Sequence, residues 1–246
     1  MTLSDAELER YQRQIVLPQL GGVGQRRLKA ASVAIVGAGG IGSAVVPALA
    51  GAGVGRLTII DDDTVDLANL HRQPIFTEAD VGQPKADLAA RFVARLNRHV
   101  DAHPVPARVD PTNARDLLAG HDLVIDGSDN FATRLAVSDA CVALGLPLLS
   151  AAAVQFQGQV ALFRAKPCYR CFVGDAFDAD DCDNCAELGV LGALTATAGS
   201  FAALLAINVI AGVGSDPAGK LHLFDGAALN WRTIRIPADP GCHACG

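Results

Sequence analysis

Two short apolar runs set the pattern. Val33–Val36 is wholly apolar, and Leu57–Ile60 is the second such run, apolar except for Thr58. Runs of this kind are expected of strands buried on both faces of a sheet. Between them, "GAGGIGSAVVPALAGAG" predicts a glycine-rich turn and a helix, with Pro47 as a point of bending. Upstream, residues 5–13 predict a short helix capped by Ser4 or Asp5. Downstream, "QPKADLAARFVARLNRH" predicts a helix with Pro84 in its first turn and Leu88, Phe92 and Leu96 as an i, i+4 stripe. "DLVIDGSDN" reads as a strand entering a turn, then a helix over about 131–144 and the strand "PLLS". This alternation predicts a Rossmann-like, doubly wound, mostly parallel α/β sheet.

After Ser150 the pattern changes. "AVQFQGQVALFR" predicts two strands about a Gly-containing turn, and "KLHLFDG" with "NWRTIRI" predicts another pair. Both pairs are expected to extend the same sheet as antiparallel strands. Between them lie an acidic loop, 172–187, and an uncharged stretch, Val190–Gly214. That stretch is long enough to span a bilayer. Its many Ala and Gly residues, with Thr195, Thr197, Ser200 and Asn208, predict instead a helix buried in a soluble core or a dimer interface.

Composition narrows the class. Half of the 246 residues are hydrophobic, enough for a substantial core. The formal net charge of −6 argues against a broad nucleic-acid-binding face. The N-terminal "MTLSDAELER" lacks the basic-then-apolar order of a signal peptide. A cytoplasmic protein that crosses no membrane is expected.

The glycine-rich turn carries the first chemistry. Gly37, Gly39 and Gly42 satisfy G-x-G-x-x-G, with Gly40 in addition, after a strand and at the opening of a helix. There the backbone can approach phosphate, and the free N–H groups of the helix end face it. Asp61 ends the next strand, where a carboxylate can bind ribose hydroxyls. Alone, this describes an NAD-binding domain, and an NAD(P)-dependent oxidoreductase is one reading. The residues beyond Asp61 depart from it. Asn69, Arg72 and Gln73 lie just past that strand, and Lys85 lies in the first turn of a helix. Lys85 reads either as a solvated surface residue or, with Arg72, as a clamp on a triphosphate. Asp129 reads either as a helix cap or as a carboxylate facing phosphates through Mg²⁺.

Together these segments resemble a family. The chain resembles the ThiF/MoeB/HesA adenylyltransferases, relatives of the ubiquitin-activating enzymes, nearly end to end. The resemblance is carried by "RYQRQIVL", "VAIVGAGGIGS", "LTIIDDDTVDLANLHRQ", "VGQPKA", "DLVIDGSDN", "GQVALF", "PCYRC", "CAELGVLG" and "DPGCHACG" in that order. It implies binding of ATP with Mg²⁺ and of the C-terminal Gly-Gly tail of a small ubiquitin-like sulfur-carrier protein. The tail carboxylate would attack the α-phosphate, giving an acyl-adenylate and pyrophosphate ahead of thiocarboxylate formation for thiamine or molybdopterin synthesis. A carboxylate is already a nucleophile, so positioning and charge neutralisation carry the step.

The resemblance also implies roles. Asp61 would hold the ribose; Asn69, Arg72 and Lys85, with Gln73 beside them, the phosphates; Asp129 the Mg²⁺. Arg13 resembles the arginine that reaches into a neighbouring subunit's site, which makes a homodimer the expected catalytic unit. Residues 1–246 are then one domain, with a nucleotide-binding half, 1–150, and a second half, 151–246. No rhodanese-like extension follows Gly246, so a separate sulfur donor, a cysteine desulfurase or rhodanese, is expected. Ala202, Leu205 and Asn208 stand where relatives commonly carry Gln, Glu and Lys, and "SAAAVQFQGQV" lacks a basic residue often seen before its glycine. Alternative readings are adenylylation of a peptide or another small carboxylate, and a non-catalytic binder of a ubiquitin-like partner.

Six of the seven cysteines form C-x₂-C pairs: Cys168/Cys171, Cys182/Cys185 and Cys242/Cys245. Cys141 stands alone in an apolar run and reads as packing. Two pairs make a four-thiolate zinc site. Three pairs allow three choices of two; by spacing, Cys168/Cys171 can join either of the other pairs, since closing a gap of about 70 residues adds little entropy over a shorter one. The resemblance selects Cys242/Cys245 and implies structural Zn²⁺. It leaves Cys185, in "CAELG", as the cysteine that forms a covalent sulfur link in some members. Cys182 would then resolve a persulfide there or stand idle.

Overall fold

A computed structural model describes residues 2–174 and 188–246 of the chain. Two helices come first, α1 (Asp5–Ile15) and α2 (Gly21–Ala30). The alternating half contains β1 (Ser32–Val36), α3 (Gly42–Ala52), β2 (Arg56–Ile60), α4 (Lys85–Leu96), β3 (Asp101–Val105), α5 (Ala114–Leu118), β4 (Leu123–Asp126), α6 (Phe131–Leu144) and β5 (Leu148–Val154). The second half contains β6 (Gln157–Phe163), α7 (Tyr169–Val173), α8 (Gly192–Ala211), β7 (Lys220–Asp225) and β8 (Asn230–Arg235). All eight strands join one sheet in the order β3-β2-β1-β4-β5-β6-β7-β8. The five strands β1 to β5 run parallel, and β6, β7 and β8 add antiparallel to β5. This is the expected doubly wound sheet with its antiparallel extension.

Strand side chains alternate between two cores. Val33, Ile35, Leu57, Ile59, Leu123 and Ile125 pack beneath α3, α4 and α8. Ala34, Val36, Ile60 and Val124 pack with α5 and α6 on the opposite face. Burial on both faces explains why these strands read as continuous apolar runs.

Several expectations change in detail. The first helix runs to Ile15, and α2, β3, α5 and α7 were not anticipated. Pro104 fits β3 because that strand is the sheet edge, where a missing N–H breaks no ladder. The turn between β5 and β6 falls at Gln155–Phe156, with Gln155 at φ 51°, and not at the glycine. Gly158 sits within β6, where an added Cβ would reach Ala198 and Leu194 of α8. On α4 the covered face is Ala86, Leu88, Ala89, Ala90 and Val93, whereas Leu96, the end of the expected stripe, is exposed. Small residues there let the helix lie close on the sheet.

α8 is the one helix among the described residues long and apolar enough to cross a membrane, and 39% of its most apolar window is buried. Ala198, Ala202 and Ala206 face the core. Gly199 passes so near the end of α3 that a Cβ there would lie 2.7 Å from the Ile41 carbonyl oxygen. Its opposite side keeps Leu204 exposed.

Candidate functional site

β1 continues through α3 to β2 on one side, while β4 flanks β1 on the other. This reversal of strand order is where open α/β sheets bind ligands. The loops leaving β1 and β4 meet there. Gly37 has φ +90°, and a Cβ on it would lie 3.1 Å from the Gly127 carbonyl and the Ser128 nitrogen. Only glycine combines that conformation with that approach. Gly39 and Gly40 continue the loop, and a Cβ on Gly42 would sit 2.3 Å from the Gly37 oxygen.

The start of α8 roofs this loop. A Cβ on Gly40 would meet Thr195 Oγ1 at 3.0 Å, and one on Gly192 would lie 2.2 Å from the His71 carbonyl oxygen. Sequence reasoning missed this contact. The signal available was a pair of glycines, Gly192 and Gly199, inside an otherwise apolar helix.

Asp61 leaves β2 half-buried. Its Oδ2 accepts from the Ala38 N–H at 2.7 Å and its Oδ1 from the Asp63 N–H at 2.8 Å. Burial raises its carboxyl above the usual range, against the pull of those amides and of Lys85. One carboxylate thus pins the glycine loop and keeps lone pairs for a ligand hydroxyl.

Lys85 is not a solvated surface residue. It is 4% exposed, and its Nζ lies 2.8 Å from Oδ2 of Asp63, a side chain that is 65% exposed. The chain after β2 explains this burial. Thr64 bridges to Pro84, and the Val65 N–H donates to the Gln83 carbonyl at 2.9 Å. Those bonds carry the first turn of α4 under the strand end. Gln73 is 2% exposed, and its Oε1 has no hydrogen-bond partner among the described residues. Its Nε2 lies 3.7 Å from the position a Cβ on Gly39 would take. The unpartnered oxygen suits a ligand hydroxyl or N–H, and the amide nitrogen beside the phosphate-type loop is a donor.

Among the described residues, Arg72 and Lys85 bond to different partners. Arg72 Nη1 donates to the Ala68 carbonyl at 3.2 Å and lies 2.9 Å from Nε2 of His71. Asn69 Oδ1 accepts from the Asp66 N–H at 3.4 Å in the same short turn. Asp129 is exposed beyond β4 and does not cap α6. Asn130 does, its Oδ1 accepting from the Thr133 N–H at 2.8 Å. Arg13 is exposed in the last turn of α1.

Away from this loop cluster, Cys168, Cys171, Cys242 and Cys245 bring four sulfurs within 4.8 Å of one another. The Sγ–Sγ distances are 3.9 Å for Cys168–Cys171, 3.6 Å for Cys168–Cys242 and 3.5 Å for Cys171–Cys245. Four thiolates about 2.3 Å from a central zinc in tetrahedral geometry lie about 3.8 Å apart. The cluster therefore fits zinc, closed on all four sides, and the Asp239 N–H already donates to Cys171 Sγ at 3.4 Å. Against burial, the amides of Cys245 and Ala244 bring the Cys242 thiol down to about 7. Of the two pairings left open by spacing, the described residues assemble the one with Cys242/Cys245; Cys182 and Cys185 lie outside them. Cys141 is buried against the core, and that burial pushes its thiol up to about 12. It packs, as expected.

A doubly wound sheet with a glycine loop at its switch point, joined to a four-cysteine knuckle, defines a nucleotide-binding α/β protein. The family can be given more closely. The ThiF family model matches residues 11–244, and the chain belongs to that family. It is 44% identical over 253 residues to the sulfur carrier protein adenylyltransferase of Thermus thermophilus, covering 100% of this chain and 93% of that one. It is 41% identical over 247 residues to the molybdopterin-synthase adenylyltransferase of Escherichia coli, covering 99% and 98%. The crystal structure of Escherichia coli MccB with ATP superposes with a TM-score of 0.81 at 25% identity, covering 91% of this chain and 68% of that chain.

Proposed function

We propose that the protein adenylylates the C-terminal Gly-Gly carboxylate of a small ubiquitin-like sulfur-carrier protein with ATP. The observation that carries this reading is the buried cation and amide at the glycine loop. Lys85 and Gln73 are nearly solvent-free, and the Gln73 amide nitrogen, a donor, lies 3.7 Å from where a Cβ on Gly39 would sit. Hydride transfer needs no triphosphate clamp, whereas adenylylation from ATP does. The two relatives named as adenylyltransferases support the same choice.

In this reading the glycine loop from Gly37 to Gly42 admits the phosphates to backbone N–H groups. Asp61 orients the ribose while holding the loop. Lys85, Arg72, Asn69 and Gln73 neutralise and align the phosphates, with Arg72 leaving its own loop to do so. Asp129 holds Mg²⁺, which would offset phosphate charge. The carrier carboxylate forms a bond to the α-phosphorus as the bond to pyrophosphate breaks, and no proton need move. Cys168, Cys171, Cys242 and Cys245 hold a structural Zn²⁺. The working unit is a cytoplasmic homodimer in which Arg13 serves the neighbouring site. Cys185 forms the covalent sulfur link to the carrier, and a separate cysteine desulfurase or rhodanese is the source of the sulfur.

ATP–pyrophosphate exchange with Gly-Gly-ended carriers of the source organism tests this. Exchange that depends on a carrier supports the reading. Exchange driven only by a short peptide, or by no carboxylate at all, overturns it.

A further inference from the structure

Arg134 lies in the first turn of α6 and is 8% exposed. Arginine is rarely buried unless its donors are engaged. Here they are. Nη2 donates to the Ser128 carbonyl oxygen and, at 3.2 Å, to the Ala151 carbonyl oxygen. Nη1 donates to Ser150 Oγ at 3.2 Å. The Tyr169 hydroxyl is a further hydrogen-bond partner. Burial works against the charge on this guanidinium, but Asp126, Tyr169 and Asp129 outweigh it.

The acceptors decide what this cation does. Ser150 and Ala151 belong to β5, a strand in the middle of the sheet. Ser128 belongs to the loop after β4, and its carbonyl lies in the same planar peptide unit as the Asp129 nitrogen. Fixing that oxygen therefore fixes the plane from which the Asp129 side chain departs. The other side of Ser128 is held as well: Asp126 Oδ1 accepts from the Ser128 N–H at 2.9 Å and from its Oγ at 2.6 Å. Asp126 itself is buried. Asp129 is thus an exposed carboxylate on a rigid mount.

Tyr169 connects this mount to the cysteine clasp. It follows Cys168 directly and opens α7. Its ring is buried, edge-on to Phe163 with centroids 5.6 Å apart and to Phe172 at 6.1 Å. Those packed rings leave the hydroxyl little freedom to move away from Arg134.

We propose that Arg134 is a positioning residue for Asp129, bolting the Ser128–Asp129 peptide to β5, and that the Tyr169 hydroxyl holds its guanidinium in that orientation. The inference rests on the proposed role of Asp129 as the Mg²⁺-facing carboxylate. Local sequence offered no hint of it: an arginine early in a helix reads as a surface charge.

The test is a Mg²⁺ titration of ATP binding by the full-length, zinc-loaded protein, with a metal-free arm in EDTA. Arg134→Lys keeps the charge but loses the planar fork that reaches several acceptors at once. Tyr169→Phe removes one oxygen and keeps the packed ring. Arg134→Lys should raise the half-saturating Mg²⁺ concentration about tenfold, the scale of one lost hydrogen bond to a charged group. Tyr169→Phe should shift it in the same direction by a smaller factor. ATP binding in EDTA and zinc content should stay as in the parent protein. A purely structural brace would lower the melting temperature and leave the Mg²⁺ dependence alone, and that outcome overturns the proposal. If Arg134→Lys does not fold, Tyr169→Phe decides by the same readout. Asp129→Asn separates the premise from the inference. If Asp129→Asn leaves the Mg²⁺ dependence unchanged, the assignment of Asp129 fails; if Asp129→Asn shifts it while the folded Arg134 and Tyr169 variants do not, the positioning role fails.

Discussion

Replacing Lys85 with Met separates a functional cation from a structural one. The side chain is buried, and its only hydrogen-bond partner among the described residues is Asp63. Asp63 is mostly solvated, so removing the lysine strands no buried charge. Met fills a similar volume with apolar atoms. An exchange of this kind at a half-exposed pair shifts stability by no more than about 1 kcal/mol. A phosphate contact is a different matter. A hydrogen bond to a charged group contributes about 1.5–3 kcal/mol, which corresponds to about 10–150-fold in kcat/KM. Lys85→Met should therefore melt close to the parent protein yet lose at least about tenfold in carrier-dependent ATP–pyrophosphate exchange. Asp63→Asn provides the internal comparison, because it removes the partner and leaves the cation, and it should lose much less. If Lys85→Met keeps exchange within about twofold of the parent, Lys85 does not face the phosphates and the site has been drawn in the wrong place.

Four further outcomes are expected. Cys242→Ser should release zinc and expose the chain after Ile236 to proteolysis, whereas Cys182→Ser should keep full metal content; the reverse would show that the wrong pairs have been joined. Gly199→Ala should lower the melting temperature and weaken ATP binding, because its Cβ would press on the Ile41 carbonyl at 2.7 Å. Helix propensity alone favours Ala there by about 1 kcal/mol, so a stabilised variant refutes the close approach of α8. Glu7 is buried, yet its hydrogen bonds from Lys29 and Ser4 outweigh that burial and bring its carboxyl from 4.5 down to about 2. A depressed carboxyl contributes stability that is complete above its unfolded value and is lost as pH falls through the folded one. Acid melts should therefore lose the parent's advantage over Glu7→Gln between pH 4.5 and about 2, and a constant gap across that range argues against it. Mixing Arg13→Ala with Asp129→Ala subunits should restore exchange in verified heterodimers; no recovery contradicts service by Arg13 across the interface.

How legible each residue was in the sequence depends on where it sits. β1, β2 and β4 stood out because both faces are buried, favouring apolar side chains at all but Thr58 and Asp126 among their buried positions. β3 did not, because an edge strand tolerates "DAHPV", with a proline and exposed positions. The glycine loop was legible because its constraint is local: a positive φ and a close approach demand glycine at Gly37. Lys85 was legible as a candidate but not as a buried one. Its burial comes from the bridge of Thr64 to Pro84, a contact between segments that no periodicity records. The turn after β5 was misplaced for a related reason. A glycine in a strand pair suggests a turn, but Gly158 lies within β6, while Gln155 adopts the left-handed conformation. Cysteine spacing allowed two zinc pairings, and only the approach of the chain end to α7 favours one.

The cysteine clasp and the nucleotide loop are separate sites, yet the chain links them through the segment that carries Cys182 and Cys185. One flank of that segment is α7, which begins just after Cys168 and contains Cys171. A metal in the clasp would fix that flank. On the other flank, the Gln155 N–H donates to the Gly189 carbonyl at 2.8 Å, and Val190 bridges to Gln155 at the β5–β6 turn. Two residues further on, Gly192 starts α8 against His71 and Arg72, and Thr195 touches the glycine loop. The flanks of the two cysteines are therefore tied to a metal clasp on one side and to the roof of the nucleotide site on the other. The clasp is not the sole hold on α7, since Tyr169 packs on Phe163 and Arg170 pairs with Asp139 at 2.6 and 2.7 Å. In the tail after Ile236, the buried side chains among the described residues are the cysteines themselves. Metal in the clasp thus matters less for the parallel sheet, which has its own two cores, than for how the chain end is held against α7.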